Sequence, residues 1–398
     1  MRVANMVPDL QYAMQQSQQA LSTALQQVST GLRVNQPSDD PAASANLVVS
    51  LAATAQVDRY TSTINTVSPL MQTADSAISS VVTSLNTAIT NGTAGASGTE
   101  TAANRQTLAA QVESALGSVV AQANTSFQGV YAFGGSATAS PPFVAASTTY
   151  DSALGSVGTP LSTTTALTAG SVTTISDAAT GDTMTFKAAA GDTIATLSTA
   201  ISNAVAAGTL SAGTNATINA AGQLSIGSTS GIVVSSNDAS LGSMTAAASS
   251  AVPNAYAYVG NSSFNTVQVG DSANVATTMS GSQFFGSGTN VIGALNGLIT
   301  ALQSGTSAQI ATATTAVSTA LNNVGQQRIP LDNAISQMTS QESYLGQETV
   351  TLTARQTSLV GVNLADAATN LSQAELTNSA VLAAAAKVIP QTLLDFLK

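Results

Sequence analysis

The side chains that could do chemistry in this chain are few and limited in kind. Its 398 residues include no cysteine, histidine or tryptophan, and only 19 acidic and 9 basic residues. Without imidazole or thiolate there is no ordinary zinc, copper or haem site, and no imidazole base to activate a serine. Only carboxylates, lysines and tyrosines remain for chemistry. We therefore expect no catalytic, metal or cofactor site, and a protein that is not an enzyme.

One pair of adjacent carboxylates, Asp39 and Asp40, stands between Pro37 and Pro41. Paired acids can act in acid–base catalysis or bind a cation, but acids beside prolines are usually turn and cap residues. No further carboxylate lies nearby to complete an acid–base pair or a calcium loop. We interpret Pro37, Asp39, Asp40 and Pro41 as a structural turn in which Asp40 caps the helix that Pro41 begins.

The distribution of charge and apolar residues excludes further classes of function. The basic residues are scattered and form no stripe that could neutralise phosphates, so nucleic acid is not an expected partner. No run of about 18 apolar residues could span a bilayer, and the first residues lack the apolar core of a secretory signal. With the absence of cysteine, this favours an extracellular protein exported without a cleaved signal peptide.

Large apolar residues at both ends of the chain recur in steps of three and four, which is typical of a coiled coil. Between Val3 and Leu32 the only charged residue is Asp9, so the outer face of this helix is also expected to touch protein. The alternative is an ordinary intramolecular hairpin. Ser17 fills one gap in the series, and Ala367, Ala374 and Ala385 occupy alternate positions. The predicted assembly interface consists of Leu10, Met14, Leu21, Leu25, Val28, Leu32, Leu364, Leu371, Val381, Val388 and Leu394.

In the rest of the chain, the spacing of apolar residues indicates helices on both sides of a middle segment with a different pattern. Apolar spacing predicts a helix from Pro41 to Ile89 with a kink or break at Pro69, a Gly-rich turn over 91–98 and a returning helix. Helices return near Val291 and Ile310. Between them, short alternating runs predict strands at Met184 and Phe186, at Leu224 and Ile226, and at Ile232 to Val234, with a capped helix from Ile194.

We therefore predict a mainly α fold with an inserted α+β or β-rich domain. The predicted domains are a terminal coiled-coil core of 1–36 with 362–398, a helical rod domain of 37–143 with 289–361, and an inserted β-rich outer domain of 144–288. The two ends look like matching halves, so the termini can pair as a coiled coil. Because the terminal helices bury little, we predict that both ends are largely unfolded in the monomer and fold on assembly.

Two long segments carry a family resemblance. Residues 27–43, which read QVSTGLRVNQPSDDPAA, resemble the amino-terminal signature of the flagellin superfamily, and residues 363–375 followed by 393–397 resemble its carboxy-terminal helix. Tyr131-Ala-Phe-Gly-Gly followed by Pro142-Phe143 is similar to a pattern of the hook-associated protein 3 branch. We expect Tyr131 and Phe133 to have a structural role, filling the junction between the helical rod and the insert.

The resemblance implies an elongated flagellin-like rod with an outer helical bundle and a distal insert. It further implies a homo-oligomeric ring or short helical zone of many copies at the hook–filament junction, between hook-associated protein 1 and the flagellin filament. A flagellar export chaperone and the type III export apparatus would be further partners, and the chain would be exported unfolded. Two alternatives stay open: a flagellin that forms the filament itself, and, in a different class, a flagellin-like surface adhesin.

Overall fold

The structure is a computed structural model that describes residues 6–153, 160–247, 251–286 and 290–396, with side chains described at 9–153, 160–247, 253–286 and 290–386. It is mainly helical, with strands confined to the middle of the chain. The predicted fold class is therefore confirmed, including the mixed α and β character of the middle segment. The helices are α1 (Met6–Thr30), α2 (Pro41–Gly95), α3 (Ala102–Ala123), α4 (Ile194–Ala206), α5 (Gly281–Phe285), α6 (Val291–Ser304), α7 (Ser307–Val360) and α8 (Leu364–Phe396).

The chain forms two compact units. The terminal unit comprises Met1–Ser62 and Glu342–Lys398, and the central unit comprises Thr63–Gln341. Helices α2 and α7 contribute residues to both units. The division into three domains made from the sequence stays a prediction.

The helical part of the central unit is built from α2, α3, α6 and α7, whose apolar stripes are buried. α2 runs through Pro69 and α7 runs through Pro330, so neither proline ends its helix. An ion pair joins α2 to α7, with Arg328 Nη2 2.6 Å from Asp75 Oδ1. The fully or almost fully buried side chains here include Ile78, Val81, Leu85, Val112, Leu116, Val119, Leu295, Leu298, Val317 and Val324.

Two glycines near the end of α2 allow close approach of neighbouring helices. A Cβ atom at Gly92 would collide with Thr314 of α7, and one at Gly95 would collide with Leu302 of α6. The turn predicted over 91–98 is therefore wrong at its start, because α2 continues to Gly95 and the chain turns only after it. Glycine costs about 1 kcal/mol relative to alanine inside a helix, and the close packing offsets that cost.

A seven-stranded antiparallel sheet lies in the central unit. Its order is β5-β4-β7-β3-β8, with β6 also pairing with β7 and β9 with β3. Two short antiparallel hairpins, β1–β2 and β10–β11, lie outside it. The strands are β1 (Ser126–Phe127), β2 (Val130–Tyr131), β3 (Phe143–Ser152), β4 (Val172–Asp177), β5 (Thr183–Lys187), β6 (Asn215–Ile218), β7 (Leu224–Ser236), β8 (Met244–Ala246), β9 (Ala251–Tyr258), β10 (Thr266–Gln268) and β11 (Asn274–Ala276).

The long strand β7 joins the two halves of this sheet. Ile226 pairs with Tyr150 of β3, whereas Val234 pairs with Ile175 of β4. The sequence predicts two separate strands here with a Ser-Gly turn between them. That division is wrong, because Gly231 takes φ +88° within one continuous strand, a conformation open to glycine.

The helix predicted from Ile194 is confirmed as α4. Thr193 is its N-cap, and the Thr193 N–H donates to Thr196 Oγ1 at 2.9 Å. Ile194, Leu197 and Ile201 are buried on one face of α4 and share a hydrophobic core with inward-facing side chains of the sheet. The helical spacing of these residues therefore identified the buried face correctly.

Two buried carboxylates organise the ends of β4 and β7. Asp177 accepts hydrogen bonds from the N–H and hydroxyl of Ser211 at 2.9 and 2.6 Å, and Asp238 accepts from Ser171 Oγ and from the Ser240 N–H. Burial on its own would raise the pKa of Asp238, but these hydrogen bonds outweigh it and lower that pKa below its ordinary value.

Among the described residues, no helix combines the length and apolar character needed to cross a bilayer. Within that same part of the chain, no three Asp or Glu side chains cluster in a way that could hold a metal ion.

Candidate assembly interface

In the terminal unit, α1 and α8 pack against each other as an antiparallel pair. Beside their adjoining ends the Val362 N–H donates to the Gly31 carbonyl at 3.0 Å, and further along Ser17 Oγ donates to Asn378 Oδ1 at 3.2 Å. From the first contact to the second, the residue number decreases on α1 and increases on α8, so the two helices run antiparallel. The predicted pairing of the terminal helices is confirmed.

Small side chains form the buried seam of this helix pair. Ser17 of α1 contacts Asn378 of α8 across this seam. The buried seam residues are Ser17, Ala24, Ala367 and Ala385.

The outer faces of the pair carry exposed apolar side chains. Leu376 is 70% exposed and Leu382 is 46% exposed. No charged residue follows Asp9 in α1. An exposed apolar face with so few charges is typical of a protein–protein interaction surface. The large exposed side chains on these two helices and the turn after α1 are Tyr12, Leu25, Leu32, Leu364, Leu376 and Leu382.

The predicted interface residues divide into three groups. Leu25, Leu32 and Leu364 are exposed and accessible to another chain. The side chains of Val388 and Leu394 lie outside the described residues. The half-buried members are Leu10, Met14, Leu21, Val28, Leu371 and Val381.

Sequence reasoning missed several exposed apolar residues. Tyr12, Leu376 and Leu382 stand outside the heptad positions that guided the prediction. At the start of α2, Val48 and Val49 are also exposed. The signal that could have found them is the low charge of the whole helix surface, because solvated helices normally carry charges at such positions.

The turn between α1 and α2 uses both adjacent carboxylates to bind backbone. Asp39 Oδ2 accepts hydrogen bonds from the N–H groups of Asn35 and Gln36 at 3.0 and 2.9 Å. Asp40 Oδ1 accepts from the Ala43 N–H at 2.9 Å, in the first turn of α2. The carboxylates therefore hold the chain reversal and the helix start, as N-cap and turn residues do.

An arginine links the same turn to the end of α7. Arg33 Nη2 lies 3.0 Å from Asp40 Oδ2 and 3.0 Å from the Leu359 carbonyl oxygen. The Ala43 N–H and the Arg33 guanidinium both favour the charged carboxylate, and so lower the pKa of Asp40. Pro37 is exposed in this turn and Pro41 is the first residue of α2.

Five aromatic side chains form a cluster in the central unit. The ring of Phe133, which is fully buried, lies with its centroid 5.1 Å from that of Phe285 and 5.6 Å from that of Phe284. Phe143 lies 5.2 Å from Tyr258 and 5.7 Å from Phe285. Such tilted and edge-to-face contacts add to the stability that burial provides. Two residues of the sequence pattern, Phe133 and Phe143, thus both pack against Phe285.

A glycine and a buried hydroxyl complete this aromatic cluster. A Cβ atom at Gly281 would lie 2.8 Å from Phe133 O, Phe143 Cε2 and Tyr258 Cε2, so a larger residue does not fit. Tyr258 Oη donates to the Asn261 carbonyl at 2.8 Å and accepts from the Gly281 N–H at 3.2 Å. Burial raises the pKa of Tyr258.

Residues 5–138 match the family model described as the bacterial flagellin N-terminal helical region. This span contains α1, α2 and α3, together with the β1–β2 hairpin. Residues 5–138 are thus similar to a flagellin-type amino-terminal helical region, and the resemblance to the flagellin superfamily is confirmed. No curated protein matches the chain.

Similar solved structures come from flagellar proteins of several bacteria. One, described as a flagellar hook-associated protein from Vibrio parahaemolyticus, is 14% identical with a TM-score of 0.49, covering 81% of this chain and 99% of its own. FlgL of Bacillus cereus is 14% identical with a TM-score of 0.44, covering 78% and 97%. The flagellar junction protein FlgL of Legionella pneumophila is 13% identical with a TM-score of 0.37, covering 79% and 100%.

Proposed function

We propose that this chain is a structural subunit of the bacterial flagellum whose terminal unit polymerises with further copies. The observation that carries the proposal is the exposed, weakly charged apolar face of the α1–α8 pair, in a chain that matches a flagellin helical region. Leu25, Leu32 and Leu364 are proposed to contact neighbouring subunits. The buried small residues keep α1 and α8 together, whereas the outer faces gain their burial from other copies.

Within the flagellum, we propose that the chain forms the hook–filament junction and joins hook-associated protein 1 to the flagellin filament. This finer assignment rests on the sequence pattern that runs from Tyr131 to Phe143. Two of its aromatic residues, Phe133 and Phe143, belong to one buried cluster. This packing supports a structural role for the residues of the pattern. A filament flagellin is the alternative.

The location of the protein on the cell separates these two assignments. An antibody against residues 160–247 should label a short zone at the tip of the hook in electron micrographs. Labelling along the whole filament would support the flagellin alternative instead. Deleting the gene should leave hooks without attached filaments, and attached filaments in the deletion strain would contradict the junction assignment.

We also propose that the chain leaves the cell unfolded through the type III export apparatus, with a chaperone as partner, and that its ends fold on assembly. The support is the modest burial between α1 and α8, where the seam residues are mostly small. Circular dichroism of the monomer and of a version lacking 1–35 and 362–398 should give equal total helix per molecule. Protease-resistant ends in the monomer would contradict folding on assembly.

A further inference from the structure

The central unit contains an open cavity of about 500 Å³ beside the sheet, lined by both polar and apolar residues. Glu113 of α3, Asn254 of β9 and Asn296 of α6 line it. Ala178 and Ala255 also line it, and both are buried. Their short side chains leave this space unfilled, and its volume lies in the range of small-ligand sites.

The polar groups of the cavity are held in place by hydrogen bonds to one another. Asn254 Nδ2 donates to Glu113 Oε1 at 2.8 Å, and Asn296 Nδ2 donates to the Asn254 carbonyl at 2.9 Å. No donor in the described part of the chain reaches Glu113 Oε2, Asn254 Oδ1 or Asn296 Oδ1. Glu113 is exposed and the two asparagines are half-buried, so water reaches these side chains, and a ligand's donors can replace that water at the free oxygens.

Two of the chain's left-handed backbone positions lie at the same cavity. Among the described residues three non-glycine positions have positive φ, and two of them, Asn254 at +61° and Asn290 at +45°, line the cavity. A Cβ atom at Gly293, another lining residue, would collide with Asn290 Oδ1. Left-handed backbone at non-glycine residues concentrates at binding sites, where surrounding contacts hold it.

We propose that this cavity binds a cationic group rich in N–H donors, a guanidinium or a primary ammonium. Among the described residues that line the cavity, Glu113 alone is charged, and it gives the site a negative charge that would repel anions. The three spare oxygens match a ligand that donates several hydrogen bonds. In the part of the chain that the structure describes, the lining includes no aromatic ring on which a sugar could stack. This inference goes beyond the proposed assembly function and does not depend on it.

The test uses the full-length chain in monomeric form and two matched probes. Isothermal titration should detect binding of butylguanidinium, and the neutral isostere butylurea should bind at least tenfold more weakly because it cannot pair with the carboxylate. Equal affinity for the two probes would overturn the proposal, as would the absence of butylguanidinium binding at millimolar concentration.

Two variants locate the binding. Glu113→Gln keeps the shape of the side chain but removes its charge, and should weaken butylguanidinium binding about tenfold. Glu100→Gln removes the same charge from a carboxylate that does not line the cavity and should leave the affinity unchanged. Equal affinities of Glu113→Gln and the unmodified chain would refute the assignment, provided that circular dichroism shows both to be folded.

The cation could be a basic side chain of a neighbouring subunit or a free small amine. Repeating the titration on assembled polymer distinguishes these sources of the same chemistry. Loss of the butylguanidinium sites on assembly would identify the neighbour's side chain, and retention would identify a free amine. Polymerisation is measured separately by sedimentation, so failure of the cavity proposal and failure of the assembly proposal are distinguishable.

Discussion

Replacing Leu376 and Leu382 of α8 together by glutamine tests whether the exposed face of the terminal unit is the assembly surface. Fully burying a leucine side chain stabilises by about 2 kcal/mol. The side chains are 70% and 46% exposed in the single chain, so their remaining burial in a polymer is worth about 2 kcal/mol per subunit in total. We expect the double variant to raise the critical concentration for polymerisation about thirtyfold.

The assay is sedimentation of polymer from a dilution series of purified chain. Glutamine and leucine have similar helix propensities, so the substitutions should leave the helical content of the isolated chain almost unchanged. Phe264→Gln is the matched control, because Phe264 is 60% exposed but belongs to the central unit. The control should polymerise at the concentration of the unmodified chain.

An unchanged critical concentration in the double variant would refute the burial of this α8 face in the polymer. An equal increase in the double variant and the Phe264→Gln control would refute the particular role of the terminal unit. Circular dichroism of the assembled polymer of each variant shows whether a rise reflects the lost contact or a change in α8 itself.

Three further predictions concern the stability of the central unit. Gly95→Ala should destabilise the central unit by about 1–3 kcal/mol in urea titrations, because the new Cβ would collide with Leu302. Gly117→Ala should stabilise the central unit by up to about 1 kcal/mol, because the new Cβ would lie more than 4 Å from its neighbours. Phe285→Ala should cost about 3–5 kcal/mol by the same measurement, since its buried ring contacts three others, and a cost below 1 kcal/mol would show that the cluster is not close-packed. Burial raises the pKa of Tyr258 in the folded chain, so the stability that the neutral tyrosine contributes is present below about pH 10 and is lost as the pH rises further. The urea midpoint should therefore fall less steeply between pH 9 and 11 in Tyr258→Phe than in the unmodified chain.

Local sequence signals identified the elements whose structure depends on nearby residues. Ser17 and the heptad series predicted the paired terminal helices, because a 3.6-residue period places such residues on one face. Asp40 before Pro41 predicted the start of α2, where the carboxylate binds the Ala43 N–H. A cap at Asp192 or Thr193 and the apolar spacing after it predicted α4 and its buried face, and the structure has Thr193 as the N-cap.

The tertiary structure decided which residues meet across long distances in the chain. Gly95 reads as a turn residue from its neighbours alone, but it is helical because Leu302 packs against its bare backbone. Phe133 meets Phe285 only through the folding of the intervening sheet, and Glu113 meets Asn254 in the same way. By itself, the sequence determined the helical ends, the capped turn and the low charge, since these follow from local spacing and residue type. The cavity and the aromatic cluster required the fold, because contacts between distant residues depend on the whole chain's packing.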